Sequence, residues 1–223
     1  MKRAVLLTMC IAVWVSLCLQ ASPITVTNAG FDVDTIPGTA PTFQTTITGW
    51  TCTPGGNPGV DICGIQRLTS SQWTGGVVPS APNTAFSNGG TITQALAATL
   101  ANSTLYTLSV SVGRRLDSTF TSYLIELLAG SAAIAIDNTT KNPASGSFVV
   151  STLTYQSLVS DPLAGQTLSI LLKGNSGGQP NFDAVSLDAS AVGAVPEPGT
   201  AALCLIGLAL VCVQRLRAVL ARR

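Results

Sequence analysis

The sequence predicts an all-β protein: a single sandwich of antiparallel strands between two apolar terminal segments. Three observations carry this. Apolar residues of the middle recur with a period of two, as in Tyr106-Thr-Leu-Ser-Val-Ser-Val112, where Tyr106, Leu108, Val110 and Val112 share one face and hydroxyl side chains the other. Turn-forming pairs (Asn88-Gly89, Asn142-Pro143, Asp161-Pro162, Gly174-Asn175) separate these runs. Only 9% of residues are charged, and the middle is rich in Thr, Ser, Gly and Asn, which suits uncharged pleated surfaces and many turns.

In chain order, residues 1–21 read as a secretory signal peptide, with Lys2 and Arg3 before an apolar run and small Ala21 at the cut. Strands are expected at 24–27, 43–52, 60–67, 91–96, 106–112, 123–128, 132–137, 148–153, 167–172 and 181–188. That number and spacing suit a sandwich or jelly roll. Residues 123–128 are apolar on both faces except for Glu126, which predicts a central strand; 96–102 is expected as a short helical turn. The β-sandwich domain is assigned to 22–190, a linker to 191–199, and a transmembrane helix with a basic tail to 200–223.

Composition narrows the function. Six of the 11 Lys and Arg residues lie in the end segments, leaving a mildly acidic middle without a basic patch, which argues against nucleic acid as a partner. The chain has no histidine, so the usual general base and commonest metal ligand are missing. It carries no G-x-S-x-G, H-E-x-x-H or Walker motif, and Glu126 is the middle's sole glutamate where a glycosidase needs two placed carboxylates. No catalytic residue is assigned and no turnover is expected. Cys52 and Cys63 are the two cysteines of the middle and bracket a Gly/Pro-rich loop. Export predicts a disulfide between them, and too few further ligands exist for zinc. Trp73, in the loop-like stretch Ser70-Ser-Gln-Trp-Thr-Gly-Gly76, is the candidate for stacking on a sugar, whereas Trp50 reads as core. Arg114-Arg115-Leu-Asp117 reads as a solvated turn with a local ion pair, or as a loop-edge site for an anionic sugar.

The C-terminus has three parts: Val195-Pro196-Glu197-Pro198-Gly199, an apolar run over 201–213, and Arg215, Arg217, Arg222 and Arg223. The arginines would stay in the cytoplasm and place the β-domain outside. At 1.5 Å per residue the apolar run spans only about 20 Å, a short crossing. The tail resembles the PEP-CTERM sorting signal of Gram-negative bacteria. That resemblance implies a membrane processing enzyme, exosortase, as partner, a transient place in the inner membrane, and an association with exopolysaccharide. The middle is similar to galactose-binding-like and carbohydrate-binding-module jelly rolls, through Asn28-Ala-Gly-Phe31-Asp32, Ile47-Thr-Gly-Trp50, Gln94 and the closing Asn181-Phe-Asp183-Ala-Val185. In such domains acids at the places of Asp32 and Asp183 help hold a structural calcium; the alternative is that Asp32 caps a turn and Asp183 bonds backbone amides. No other cofactor is implied.

The sequence thus points to a non-enzymatic exported surface or matrix protein, with a lectin-like carbohydrate-binding module as the alternative and a polysaccharide hydrolase as the least favoured. One test follows from the tail. Replacing Pro196, Glu197 and Pro198 by alanine should leave membrane insertion intact, because hydrophobicity and positive charge drive it. In a host with exosortase the variant should accumulate as membrane-bound precursor, read by its size on a gel. Processing like that of the parent would make the segment a mere linker.

Overall fold

The computed structural model describes residues 21–38, 42–57, 59–67, 69–76 and 78–192. The expected signal peptide up to residue 20, the sorting motif Val195 to Pro198, the expected span, and Arg215, Arg217, Arg222 and Arg223 lie outside them. Twelve strands are formed: β1 (Ser22–Ile24), β2 (Phe43–Gln44), β3 (Thr51–Thr53), β4 (Cys63–Arg67), β5 (Asn83–Ser87), β6 (Thr91–Thr99), β7 (Thr104–Arg114), β8 (Tyr123–Ala129), β9 (Ala132–Asn138), β10 (Ser147–Gln156), β11 (Thr167–Gly174) and β12 (Pro180–Ala191). They pair into a seven-stranded sheet, β10-β7-β12-β5-β4-β2 with β1 also on β12, and a five-stranded sheet, β3-β6-β11-β8-β9. The result is an all-β jelly-roll sandwich.

The period-two pattern explains the packing. Tyr106, Leu108, Val110 and Val112 of β7 point inward with Phe182, Val185 and Leu187 of β12. They share one core with Ile125 and Leu127 of β8 and Leu168, Ile170 and Leu172 of β11 from the other sheet. β8 lies between β11 and β9, inside its sheet as its two-sided apolar pattern predicts. At one margin the layers are tied by polar groups. The Asp137 carboxylate on β9 accepts from the Tyr123 hydroxyl at 2.7 Å and from the hydroxyl of Ser151 on β10. Burial, then the bond to Asp137, pushes the Tyr123 hydroxyl pKa up to about 12.

The structure departs from the expected strands in several places. The strand expected over 43–52 is broken, with β2 in one sheet and β3 in the other. Between them Gly49 takes φ 80° and the Trp50 amide donates back to the Ile47 carbonyl at 3.1 Å. Trp50 is core as expected, but it sits at the end of this turn, its indole donating to Thr27 O at 2.9 Å. The helical turn expected at 96–102 does not form, because β6 continues to Thr99 opposite Thr167 of β11, and sheet pairing overrides alanine's helix preference. β5 lacks alternation because all five of its residues are buried. β12 reaches Ala191, paired with Thr104, past the boundary expected at 190.

The expected disulfide is present. Cys52 lies on β3 and Cys63 on β4, with Cα atoms 5.7 Å apart, so the bridge joins one sheet to the other. The loop it closes is also held by Gly55 N–H donating to Asp61 O at 2.8 Å and Asn57 N–H to the Asp61 carboxylate at 3.0 Å. Replacing both cysteines by serine should lower stability in urea by about 2–4 kcal/mol. Thiol titration of the denatured, unreduced domain should find no free thiol; two would remove the bridge from the exported protein.

Candidate functional site

The outer face of the seven-stranded sheet is where polar groups concentrate, and the connection from β4 to β5 determines which remain accessible. This connection folds back over the sheet, anchored by Thr74 N–H donating to Gly146 O at 3.0 Å and by Leu116 N–H donating to Gln72 O at 2.9 Å. Its Trp73 is fully buried, stacked on Phe148 with ring centroids 4.3 Å apart. A side chain at Gly113 of β7 would strike both rings, so glycine there lets the aromatic pair lie against the strand. This overturns the reading of Trp73 as a sugar platform: its ring is occupied in holding the loop down.

The same connection meets the two acids singled out in the sequence. Ser80 bridges them, its amide donating to Asp183 at 2.8 Å and its hydroxyl to Asp32. The other oxygen of Asp32 accepts from Asn83 N–H at 2.8 Å, and that of Asp183 from Ala184 N–H at 2.7 Å. All four carboxylate oxygens therefore face donors. Each oxygen thus spends acceptor capacity on a protein donor, and among the described residues no group of three Asp, Glu or Cys side chains gathers. The turn-capping and amide-binding roles are the ones formed. Asp183 is fully buried; burial first, and the nearby Asp32 charge last, push its carboxyl up to about 7 despite the two amide bonds.

Beside the anchored loop an open cleft of about 240 Å³ is lined by Thr42, Phe43, Gln66, Arg67, Gln72, Arg115 and Asp117. The ion pair expected within residues 114–117 is here. Arg115 holds Asp117 through two bonds of 2.8 and 2.7 Å and also donates to Gln66 at 2.9 Å and Gln179 at 2.7 Å. The Arg115 bond chiefly keeps the Asp117 carboxyl below its ordinary range, so the cleft's one acid is ionised. Three polar atoms of this lining, Thr42 Oγ1, Gln66 Nε2 and Gln72 Oε1, are buried and have no hydrogen-bond partner among the described residues. Phe43 is 58% exposed and meets Phe86 edge-on at 5.6 Å. Gln66, Gln72, Thr42 and Phe43 had no motif to mark them. Gln66 could have been found, since a glutamine in a strand whose neighbours are core residues must face away from that core.

Asp183 gives a pH signature. Its folded pKa lies above the ordinary 3.8, so between about pH 4 and 7 the folded state binds more protons than the unfolded one. Stability from this group is therefore present at low pH and lost as pH rises through that window, by an upper bound of about 4 kcal/mol. Melting temperature should fall from pH 5 to pH 8. In Asp183→Asn that slope should flatten, whatever the absolute level. An unchanged slope would assign it to another group.

Comparison with known proteins follows this geometry. Residues 194–223 match the PEP-CTERM protein-sorting motif, which marks an exported protein, membrane-anchored before cleavage and recognised by exosortase. No curated protein is matched by the sequence. Among solved structures, an apo cyclase from Fischerella sp. superposes with a TM-score of 0.69 at 27% identity, covering 78% of this chain and 98% of that one. The Stig cyclase Fisc from Fischerella sp. TAU, in complex with (3Z)-3-(1-methyl-2-pyrrolidinylidene)-3H-indole, gives 0.68 at 25% identity, with 77% and 100% covered. A Fischerella sp. TAU cyclase with 4-(1H-indol-3-yl)butan-2-one gives 0.68 at 26% identity, with 78% and 100% covered. Residues 22–188, the whole sandwich apart from the last turn of β12, match the model of the HpiC1 cyclase, and the chain belongs to that HpiC1-like family.

Proposed function

We propose that this exosortase-sorted protein uses its sandwich as a non-catalytic binding module, taking a hydroxyl-rich ligand of the exopolysaccharide type in the polar cleft. One observation carries the reading: polar side chains line the cleft while its acid is already paired with Arg115. Thr42, Gln66 and Gln72 line the cleft beside an exposed Phe43 ring, the mixture of polar groups and aromatic edge that orients a sugar. Its carboxylate is clamped by Arg115 and stays ionised. The carboxyl with a pKa near neutrality, Asp183, is sealed under the β4–β5 connection. Export to the cell surface puts such a cleft among extracellular polysaccharides. Titration of the purified protein with exopolysaccharide fragments should show saturable binding without change in fragment size. Gln72→Ala or Phe43→Ala should each weaken binding roughly tenfold, about the worth of one well-placed contact. Binding indifferent to both substitutions would move the site elsewhere.

Family membership and one feature favour a second reading, acid-assisted cyclisation of an aromatic substrate. Asp183 is on the same sheet face as the Trp73–Phe148 stack: it pairs with Ser111, two residues along β7 from Gly113. A carboxyl protonated near neutrality can donate a proton, and aromatic faces stabilise cationic intermediates. The Fischerella cyclases bind indole compounds. For this chain the reading requires the β4–β5 connection to lift. Product formation from an indole-bearing precursor that is abolished in Asp183→Asn would establish it and displace the binding-only proposal.

A further inference from the structure

The two ends of the sandwich differ in a way that the cleft does not use. β12 leaves the domain at Ala191 beside Thr104, and Val192 N–H still donates to Ser103 O at 2.6 Å. The sorting tail begins two residues later. At this same point Ser103 N–H donates to Leu158 O at 2.9 Å. Ser103 thus links the turn after β10 to the segment from which the tail departs.

That turn presents apolar side chains to solvent on a fixed frame. Leu158 is 63% exposed and Val159 81% exposed. Isolated exposed apolar residues are ordinary, but these two are adjacent and held rigidly. Ser157 Oγ donates to Ala101 O at 2.6 Å and accepts from Thr104 N–H at 2.9 Å. The Asp161 carboxylate accepts from Tyr155 Oη at 2.7 Å, from Leu158 N–H at 3.2 Å and from Leu163 N–H at 2.9 Å. Asn102 Oδ1 accepts from Asp161 N–H at 2.9 Å. The acid of the turn faces inward onto these donors, and no lysine or arginine lies between residues 142 and 172. The tip is uncharged outward and already ordered, so docking it loses little conformational entropy.

We propose that Leu158 and Val159 seat the domain on the outer leaflet of the membrane that its own tail enters. The proposal rests on the reading of the tail as a span. Residues 193–200 separate the end of the described domain from the apolar run, and fully extended they reach about 30 Å at most. The exit end of the sandwich is therefore tethered within that distance of lipid, at a high effective concentration. Two side chains give marginal affinity alone; beside a tether they suffice to orient. The consequence is directional. β7 runs from Thr104 at the exit end to Arg114, next to Arg115 of the cleft, a separation of roughly 30 Å at the rise of a strand. With the tip on lipid, the cleft points outward.

The test uses the exported chain, purified with its tail and reconstituted in phosphatidylcholine vesicles containing lipids brominated on the acyl chains. Leu158→Trp should lose most of its added fluorescence to the bromines, measured against the unsubstituted parent. Leu116→Trp, beside the cleft, should lose none. Adding Val159→Asp to the first variant should restore the emission while the circular dichroism spectrum stays that of the parent. Flotation separates the two ways of failing. A chain that floats with the vesicles but shows no quenching at position 158 overturns the tip proposal and leaves the span standing. A blue-shifted but unquenched emission there means a protein surface covers the tip, which also overturns it. A chain that does not float removes the span, and the tip proposal falls with it.

Discussion

Ser80, held between Asp32 and Asp183, is the constraint on which the rest of the outer face depends. It joins the turn after β1, the connection from β4 to β5, and the middle of β12, three pieces far apart in sequence. Backbone N–H groups and a hydroxyl donate to the acids and fix the connection. Its fixing lays Trp73 on Phe148, seals Asp183, and leaves the cleft open beside it. The raised Asp183 pKa is a consequence of that sealing: burial disfavours the charge more than two amide donors favour it. Protonating Asp183 relieves the repulsion from Asp32, so the node is most secure in mildly acidic surroundings.

A second tie acts across the layers. Gln94 of β6 accepts from Thr27 N–H at 2.9 Å and donates to Thr27 O and Gly49 O, both at 2.8 Å. It thereby pins the opening segment to the Ile47–Trp50 turn. The Cys52–Cys63 bridge lies a few residues further on, between β3 and β4. Chain that changes sheet has no continuous ladder to guide it. A buried amide and a disulfide at this crossover replace the missing backbone pairing.

The fold was legible where a single rule governs each residue. β7, β8 and β11 are half-buried or central strands, and their alternation states which face is inward. Legibility ended where the local pattern and the tertiary environment disagree. β5 is buried on both faces and shows no alternation, the 43–52 segment has the composition of one strand but a glycine that turns it, and the alanines of β6 favour helix until β11 pairs with them. The site was less legible still. Arg115 and Asp117 are neighbours in sequence, so their pair could be read directly. Trp73 could not: its loop is hydrophilic in composition, and its burial depends on Gly113, Phe148 and Gly146, which come from strands and turns far along the chain. The glutamines of the cleft carry no motif, because what marks Gln66 and Gln72 is their place in the lining, with Gln66 Nε2 and Gln72 Oε1 buried and unpartnered among the described residues, a property of three-dimensional surroundings.

The relation between the family and the tail follows from how the sandwich is built. The chain belongs to the HpiC1-like family, and in this chain one sheet face is overlaid by the β4–β5 connection. For this chain the proposed catalytic reading depends on whether that overlay admits a ligand to the carboxyl beneath it. In this chain the aromatic stack and the Ser80 node both hold the overlay shut, and they act from different strands, so lifting it means breaking both together. Disrupting the stack costs apolar burial, and disrupting the node leaves buried donors and acceptors unpaired. The proposed binding at the cleft needs no such opening, because the cleft lies at the loop's edge, at the end of β7 remote from the tail.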